Sequence, residues 1–390
     1  MLLPLSNPPK DYAWGSRTLI AGLEGREASE APEAEVWFGD HSGGPARLDD
    51  GSGKTLDTWL AQNADGAPDR LPYLLKLLAA ASPLSIQVHP SKEQAVEGFA
   101  REAGKPMDAA DRNYRDDNHK PELLVALSET FEALCGLRPL DATRRLAAAL
   151  GDGLGPAALR ARLDRTEDDA DILREVIGWL LSGAADVEVA SLIEAIGSAE
   201  SIEFAAELSS ARRIASVYPG DPGVIVALLM NHVVLHRGEG VFLRAGLLHA
   251  YLSGLGVEIM AASDNVLRGG LTPKHVDVDE LLAVLDARPA VVPVVLPTSA
   301  DGASRGVEAF ATDAPDFELL RARVSSGAEA TVALRGAAIA LVTAGRITVT
   351  GMSGERTVRP GRAVFLTEDE SPVRFAGDGE VFVAQPGTAH

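Results

Sequence analysis

A single cysteine, Cys135, stands in 390 residues, so no internal disulfide can form and a disulfide-stapled secreted scaffold is excluded. No apolar run reaches the roughly 20 residues of a membrane span, and the N-terminus lacks the basic start and long apolar stretch of a signal peptide. Cations are also scarce. Against 56 Asp and Glu stand 36 Lys and Arg, a formal net charge of -20. That field repels nucleic acid and anionic membranes, so neither is an expected partner. An anionic small molecule remains open only where cations gather locally. These absences predict a cytoplasmic protein.

Apolar material, at 46% of residues, suffices for real cores, and the length predicts two or three domains. Residues 1 to about 140 mix short apolar strands with Gly/Pro turns, as in Pro72 to Leu78 and Pro83 to His89. The polar stretch from about Gly104 to Asn118 reads as an ordered loop or short helices, long enough to suggest a function. From about 141 to 216 the composition turns to Ala, Leu, Arg, Glu and Asp, with Ile172, Leu173, Val176, Ile177, Leu180 and Leu181 at helical spacing. This predicts a helical domain. Gly223 to Leu235 reads either as a strand buried on both faces or as a short helix followed by a strand.

An internal repeat follows. At an offset of 123 residues, Gly238 to Leu243 superposes on Gly361 to Leu366, and Gly254 to Glu258 on Gly377 to Val381. Strand, turn and strand with glycines at fixed offsets indicate double-sheet β-barrels. His249 then falls on Pro372 and Glu258 on Val381, so the second copy is expected to hold no metal. The expected architecture is mainly β with a helical domain. A catalytic unit spans 1–140 and 217–285, helices span 141–216, and a C-terminal unit spans 286–390.

Three segments carry chemistry. In Ser85-Ile86-Gln87-Val88-His89-Pro90, Gln87 and His89 sit two apart on an apolar strand and so project from one face. His119-Lys120-Pro121-Glu122 offers a carboxylate beside a cation, and Leu248-His249-Ala250-Tyr251 a second imidazole after another strand. Taken singly, each of these residues has an ordinary structural explanation: a polar strand end, a helix-start carboxylate, a core histidine. Together, two imidazoles, a carboxylate and an amide oxygen suit zinc with a position left open. Lys76, inside an apolar strand, requires an anionic partner. Arg268 and Lys274 flank the turn-forming Gly269 to Pro273. Glu258, between Val257 and Ile259, sits where a carboxyl is raised toward acid/base use, or else is an outward-facing strand residue. Tyr12 and Trp14 can stack on a sugar or belong to the core.

Tyr12 to Ser16, Ala34 to Trp37, Pro72 to Leu78, Pro83 to Lys92, Asn118 to Leu124 and Phe242 to Lys274 together resemble type I mannose-6-phosphate isomerase (phosphomannose isomerase), in the family's order. The resemblance implies cupin-type jelly-roll barrels plus a helical insertion, and one zinc per chain on Gln87, His89, Glu122 and His249. It implies a substrate pocket of Trp14, Glu35, Lys76, Ser85, Lys120, Tyr251, Glu258, Asp264, Arg268 and Lys274. The reaction implied interconverts mannose 6-phosphate and fructose 6-phosphate through an enediol or enediolate, in mannose catabolism or GDP-mannose synthesis. In this reading Arg268 stabilises the oxyanion and Glu258 moves the proton, with Lys120 and His119 as rivals and Asp264 as a further catalytic residue. Lys76, Ser85 and Lys274 fix the phosphate. A monomer is expected. The alternatives are a non-catalytic cupin sensing a sugar phosphate, and a cupin oxygenase, which would prefer two histidines and a carboxylate around iron.

Overall fold

The computed structural model describes residues 1–63, 67–289, 291–300 and 306–388. Among these, the strands form two antiparallel sheets of ten strands each. The spine of one is His249–Ala261. Its first residues pair with Gln87–Val88 and Thr130–Leu137, and its later ones with Tyr73–Ala80 and Glu122–Ala126. The other sheet is built on Ala338–Thr350 paired with Val373–Gln385. Leu2–Ser6 pairs with Ala363–Leu366 and, on its other side, with Arg47–Leu48, so these two early strands lie in the C-terminal sheet. Val294–Val295 crosses the other way and pairs with Gly240–Leu243.

Five helices, from Leu140–Ala149 to Ala205–Val217, fill the stretch between the two runs of catalytic-sheet strands. Asp168 caps the helix Asp169–Leu181 by accepting from the Ala170 N–H. Ile172, Leu173, Val176, Ile177 and Leu180 are buried in a core that also receives Ile86, Val88, Leu248, Ala250 and Leu252. The helices therefore press on the outer faces of the strands whose inner faces carry Gln87, His89, His249 and Tyr251. Gly223–Leu229 is a helix and Met230–His236 a strand. The helix is apolar all round and buried, which is why periodicity alone left two readings open. The polar stretch after the helix Lys92–Arg101 is turns and loop, without a further helix. No single helix among the described residues is long and apolar enough to cross a membrane.

The spine strand changes face midway. Leu248, Ala250 and Leu252 point outward to the helical core, whereas Leu255, Val257 and Ile259 point outward to a core shared with the C-terminal sheet. The outward parity switches from even to odd. A register shift between Tyr251 and Ser253 marks the place, and Gly254 follows at φ 129°. Such a bulge re-aims the side chains beyond it. His249 and Glu258 are separated by an odd number of positions, which on a regular strand places them on opposite faces. The bulge puts both inside. At the repeat offset, Gly377 has φ 127°, so the second copy keeps the same glycine kink.

Candidate metal centre and substrate cavity

Register assembles the site. His249 pairs directly with Gln87, which pairs on its other side with Arg268. Directly opposed residues share a face, so all three project together. In the neighbouring ladder Glu258 opposes Lys76, and Met260 opposes Glu122. One cavity of about 690 Å³ is lined by Gln87, Glu122, His249, Tyr251, Glu258 and Lys120, and further by Trp14, Glu35, Lys76, Ser85, Arg268 and Lys274.

His89, Glu122 and His249 each place one ligand atom within 4.8 Å of the others, and all three are buried. His89 Nε2 lies 3.3 Å from Glu122 Oε1, and His249 Nε2 lies 3.6 Å from Glu122 Oε2. His89 Nδ1 donates to the Asn265 carbonyl at 2.8 Å, and His249 Nδ1 to the Leu247 carbonyl at 3.0 Å. A carbonyl only accepts, so each Nδ1 carries the proton. Burial, aided by Lys120, lowers the pKa of His89, and burial with the neighbouring His89 lowers that of His249 to about 4. Both rings are therefore neutral near pH 7, with Nε2 lone pairs facing a carboxylate. Among the described residues His89 Nε2, a buried atom, has no hydrogen-bond partner. Lone pairs and a carboxylate in such proximity repel unless a cation sits among them, so the donor set fits a divalent metal. The backbone carbonyls behind the rings fix tautomer and orientation as outer-shell partners do. Gln87 Nε2 donates to Ser85 Oγ at 3.1 Å, which leaves its amide oxygen as the group available to a metal.

The carboxylates are unequal. Burial alone would raise Glu122, but Lys120 Nζ at 2.8 Å and the imidazoles outweigh it and hold the carboxyl well below the usual range. Burial raises Glu258 despite Lys76 Nζ at 3.0 Å, and Glu122 and Glu35 push the same way. Burial works against the Lys76 charge, yet Glu258 and Glu35, the latter at 3.5 Å, raise its pKa overall. The predicted anionic partner of Lys76 is thus a pair of carboxylates.

Comparison with known proteins agrees with the geometry. The model of the phosphomannose isomerase type I catalytic domain matches residues 2–140. Mannose-6-phosphate isomerase of Escherichia coli is 36% identical, covering 97% of this chain and 97% of its own. The chain belongs to the type I phosphomannose isomerase family. The human mannose-6-phosphate isomerase is 30% identical over 95% of this chain and 94% of its own. A phosphomannose isomerase variant from Salmonella typhimurium superposes with a TM-score of 0.87 at 32% identity, covering 99% of both chains. A mannose 6-phosphate isomerase bound with zinc and yttrium gives 0.86 at 33% identity, also over 99% of both chains.

In this phosphomannose isomerase family member some of the expected site residues fall outside the cavity lining. His119 Nε2 is 2.7 Å from Asp316 Oδ2, facing the C-terminal part of the chain. Asp264 lines a neighbouring cavity and is 3.0 Å from His41 Nε2. Other residues went unread in the sequence. Tyr218, just past the last of the five helices, walls the cavity and donates to the Pro83 carbonyl at 2.8 Å. Asn265, fully buried, holds His89 from behind. Neither carries a sequence signal of its own, since an isolated Tyr after a helix or Asn in a loop has many uses. Among the described residues Arg268 and Lys274 have no ion-pair partner. Burial lowers the pKa of each, and a nearby Arg115 lowers both further.

Proposed function

We propose that this chain interconverts mannose 6-phosphate and fructose 6-phosphate as a zinc-dependent cytoplasmic monomer, through an enediolate. The observation that carries the reading is the buried group His89, Glu122 and His249, of which Glu122 and His249 line a cavity that also holds a raised carboxyl and two cations without an ion-pair partner among the described residues. Gln87 completes the ligand set. Zinc bound there would supply Lewis acidity toward a sugar oxygen. Glu258 takes the C2 proton and returns it to C1, since its raised pKa brings it closer to the working pH of a proton shuttle. Lys76 keeps that carboxyl oriented at 3.0 Å. Arg268 stabilises the developing enediolate oxygen. Tyr251 Oη, buried and without a hydrogen-bond partner among the described residues, donates to a sugar oxygen. Lys274 and Ser85 meet the phosphate, and Trp14 stacks on the sugar. Lys120, which touches Glu122 at 2.8 Å, is the rival for the proton.

The two sheets read as cupin-type jelly rolls, one over 1–140 and 217–285 and one over 286–390, with 141–216 inserted and Leu2–Ser6 lent to the C-terminal sheet. The repeated glycine kink at Gly254 and Gly377 supports that duplication. A coupled assay for fructose 6-phosphate formed from mannose 6-phosphate, with and without prolonged chelation, tests the function. Zinc-loaded protein that forms no fructose 6-phosphate overturns it, as does full turnover in metal-free protein.

A further inference from the structure

A second cavity, of about 430 Å³, lies behind Arg268, Pro273 and Lys274, and these three residues line both cavities. Its far wall is the loop that follows the helix Lys92–Arg101, and from that loop Arg115 lines the chamber. Four cations, Arg112, Arg115, Arg268 and Lys274, therefore border one space, and Arg112 is engaged by the carbonyls of Glu102, Lys105 and Tyr114. Among the described residues Asp264 is the only carboxylate in that lining, and His41 holds it at 3.0 Å. Among the described residues neither Arg115, Arg268 nor Lys274 has an ion-pair partner. Like charges brought together without counter-charge repel, and the arrangement is favourable only when an anion joins them.

The loop is built to hold Arg115 in place. Asn265, fully buried, accepts from the Arg115 N–H at 2.7 Å and from the Asp116 N–H at 3.3 Å. Its amide donates to the carbonyls of Asp116 at 2.9 Å and Asn118 at 2.8 Å. Glu102 Oε2 accepts from the Asn113 and Tyr114 N–H groups at 3.0 and 2.9 Å. The Arg115 guanidinium donates to the Met107 and Ala109 carbonyls, which leaves further N–H groups of its fork free. The carbonyl of Asn265 is the acceptor that orients His89. One side chain thus fixes the cationic loop while its own backbone fixes a metal ligand.

We propose that Arg115 is a phosphate-binding residue, gripping the substrate's phosphate from the far side of Arg268 and Lys274. The inference rests on the reading of the substrate as a sugar phosphate. A guanidinium is suited to this, since its planar fork meets two phosphate oxygens at once. The Gly104 to Asn118 stretch then has the function that its length suggested.

The test compares wild type with Arg115→Gln and Arg115→Lys, all zinc-loaded, in two measurements. Inorganic phosphate binding is titrated by calorimetry, and KM and kcat are measured for mannose 6-phosphate. Arg115→Gln is expected to weaken phosphate binding and raise KM on the order of tenfold or more, with kcat changed far less, as loss of a hydrogen bond to a charged group implies. Arg115→Lys is expected to recover part of the phosphate affinity, because charge survives and the fork does not. Unchanged phosphate affinity and KM in Arg115→Gln overturn the proposal. Equal losses in both variants overturn it too, since they would show that loop packing and not charge is responsible. If wild type binds phosphate but does not isomerise the sugar, the functional reading fails, and the calorimetric comparison still decides Arg115.

Discussion

Replacing Gly254 with alanine attacks the bulge that brings His249 and Glu258 to one face. Gly254 sits at φ 129°, a region closed to L side chains, and forcing a residue there costs about 1–3 kcal/mol. An added Cβ would lie 2.6 Å from Phe131 Cδ2 and 2.9 Å from Phe131 Cα. The ring can turn, but the Cα belongs to a paired strand and cannot retreat. Overpacking of this kind costs about 1–3 kcal/mol more. Gly254→Ala is therefore expected to lose about 2–6 kcal/mol, measured by urea unfolding of the metal-free protein. Gly377→Ala supplies the comparison. It has nearly the same φ, 127°, and its Cβ would collide with the Arg346 carbonyl. Both variants should be destabilised, but only Gly254→Ala should also lose zinc stoichiometry and turnover. A Gly254→Ala protein with full zinc and normal turnover would refute the link between bulge and site. A loss below about 1 kcal/mol would refute the steric argument.

Three further outcomes follow from the site. His249→Ala should lose zinc as well as turnover, and elemental analysis showing stoichiometric zinc would remove His249 from the ligand set. Glu258→Gln should keep fold and zinc and lose roughly 100-fold or more in turnover, with exchange of the C2 proton falling in parallel. Near-normal exchange would move the proton transfer to Lys120. In the metal-free protein the His249 pKa of about 4 lies below the ordinary value near 6.5, so between those limits the unfolded chain binds a proton that the folded one refuses. Stability should be fully present above about pH 6.5 and fall by roughly 3 kcal/mol as pH drops toward 4. If His249→Gln shows the same slope in urea titrations, another group is responsible.

Much of this was legible from residue order. The spacing of Gln87 and His89 gave their common face, and burial of Ile172, Leu173, Val176, Ile177 and Leu180 follows their helical period. Lys76 among apolar neighbours implied carboxylate partners, and Glu258 and Glu35 are there. What sequence could not give depends on register. The parity change at Gly254 is invisible to a two-residue period, which would separate His249 from Glu258. The pairing of Leu2–Ser6 with Ala363–Leu366 spans nearly the whole chain, and no local pattern encodes a partner that far away. His119 and Asp264 stand within a few residues of cavity-lining groups, yet their side chains turn to Asp316 and His41. Proximity in sequence fixes a backbone position and not a side-chain direction.

The charge distribution explains how so acidic a chain can receive an anion. A net charge of -20 opposes a phosphorylated sugar, but at physiological salt the Debye length is about 8 Å, so distant surface carboxylates are screened. What decides is the local set. Inside the cavity Glu122 is matched by Lys120, and Glu258 with Glu35 by Lys76. Both lysines are thus engaged by carboxylates and leave little positive charge for a ligand. Arg268 and Lys274 lack such partners, and they stand at the wall shared with the second cavity, opposite Arg115. The attraction for an anion is thus concentrated at the wall that the two cavities share. A molecule with a phosphate at one end and a reactive carbon chain at the other has only one way to satisfy both regions. In the proposed function its phosphate would lie against Lys274 at that wall and its sugar oxygens toward Arg268 and the ligand cluster, which would bring the reacting carbons beside Glu258.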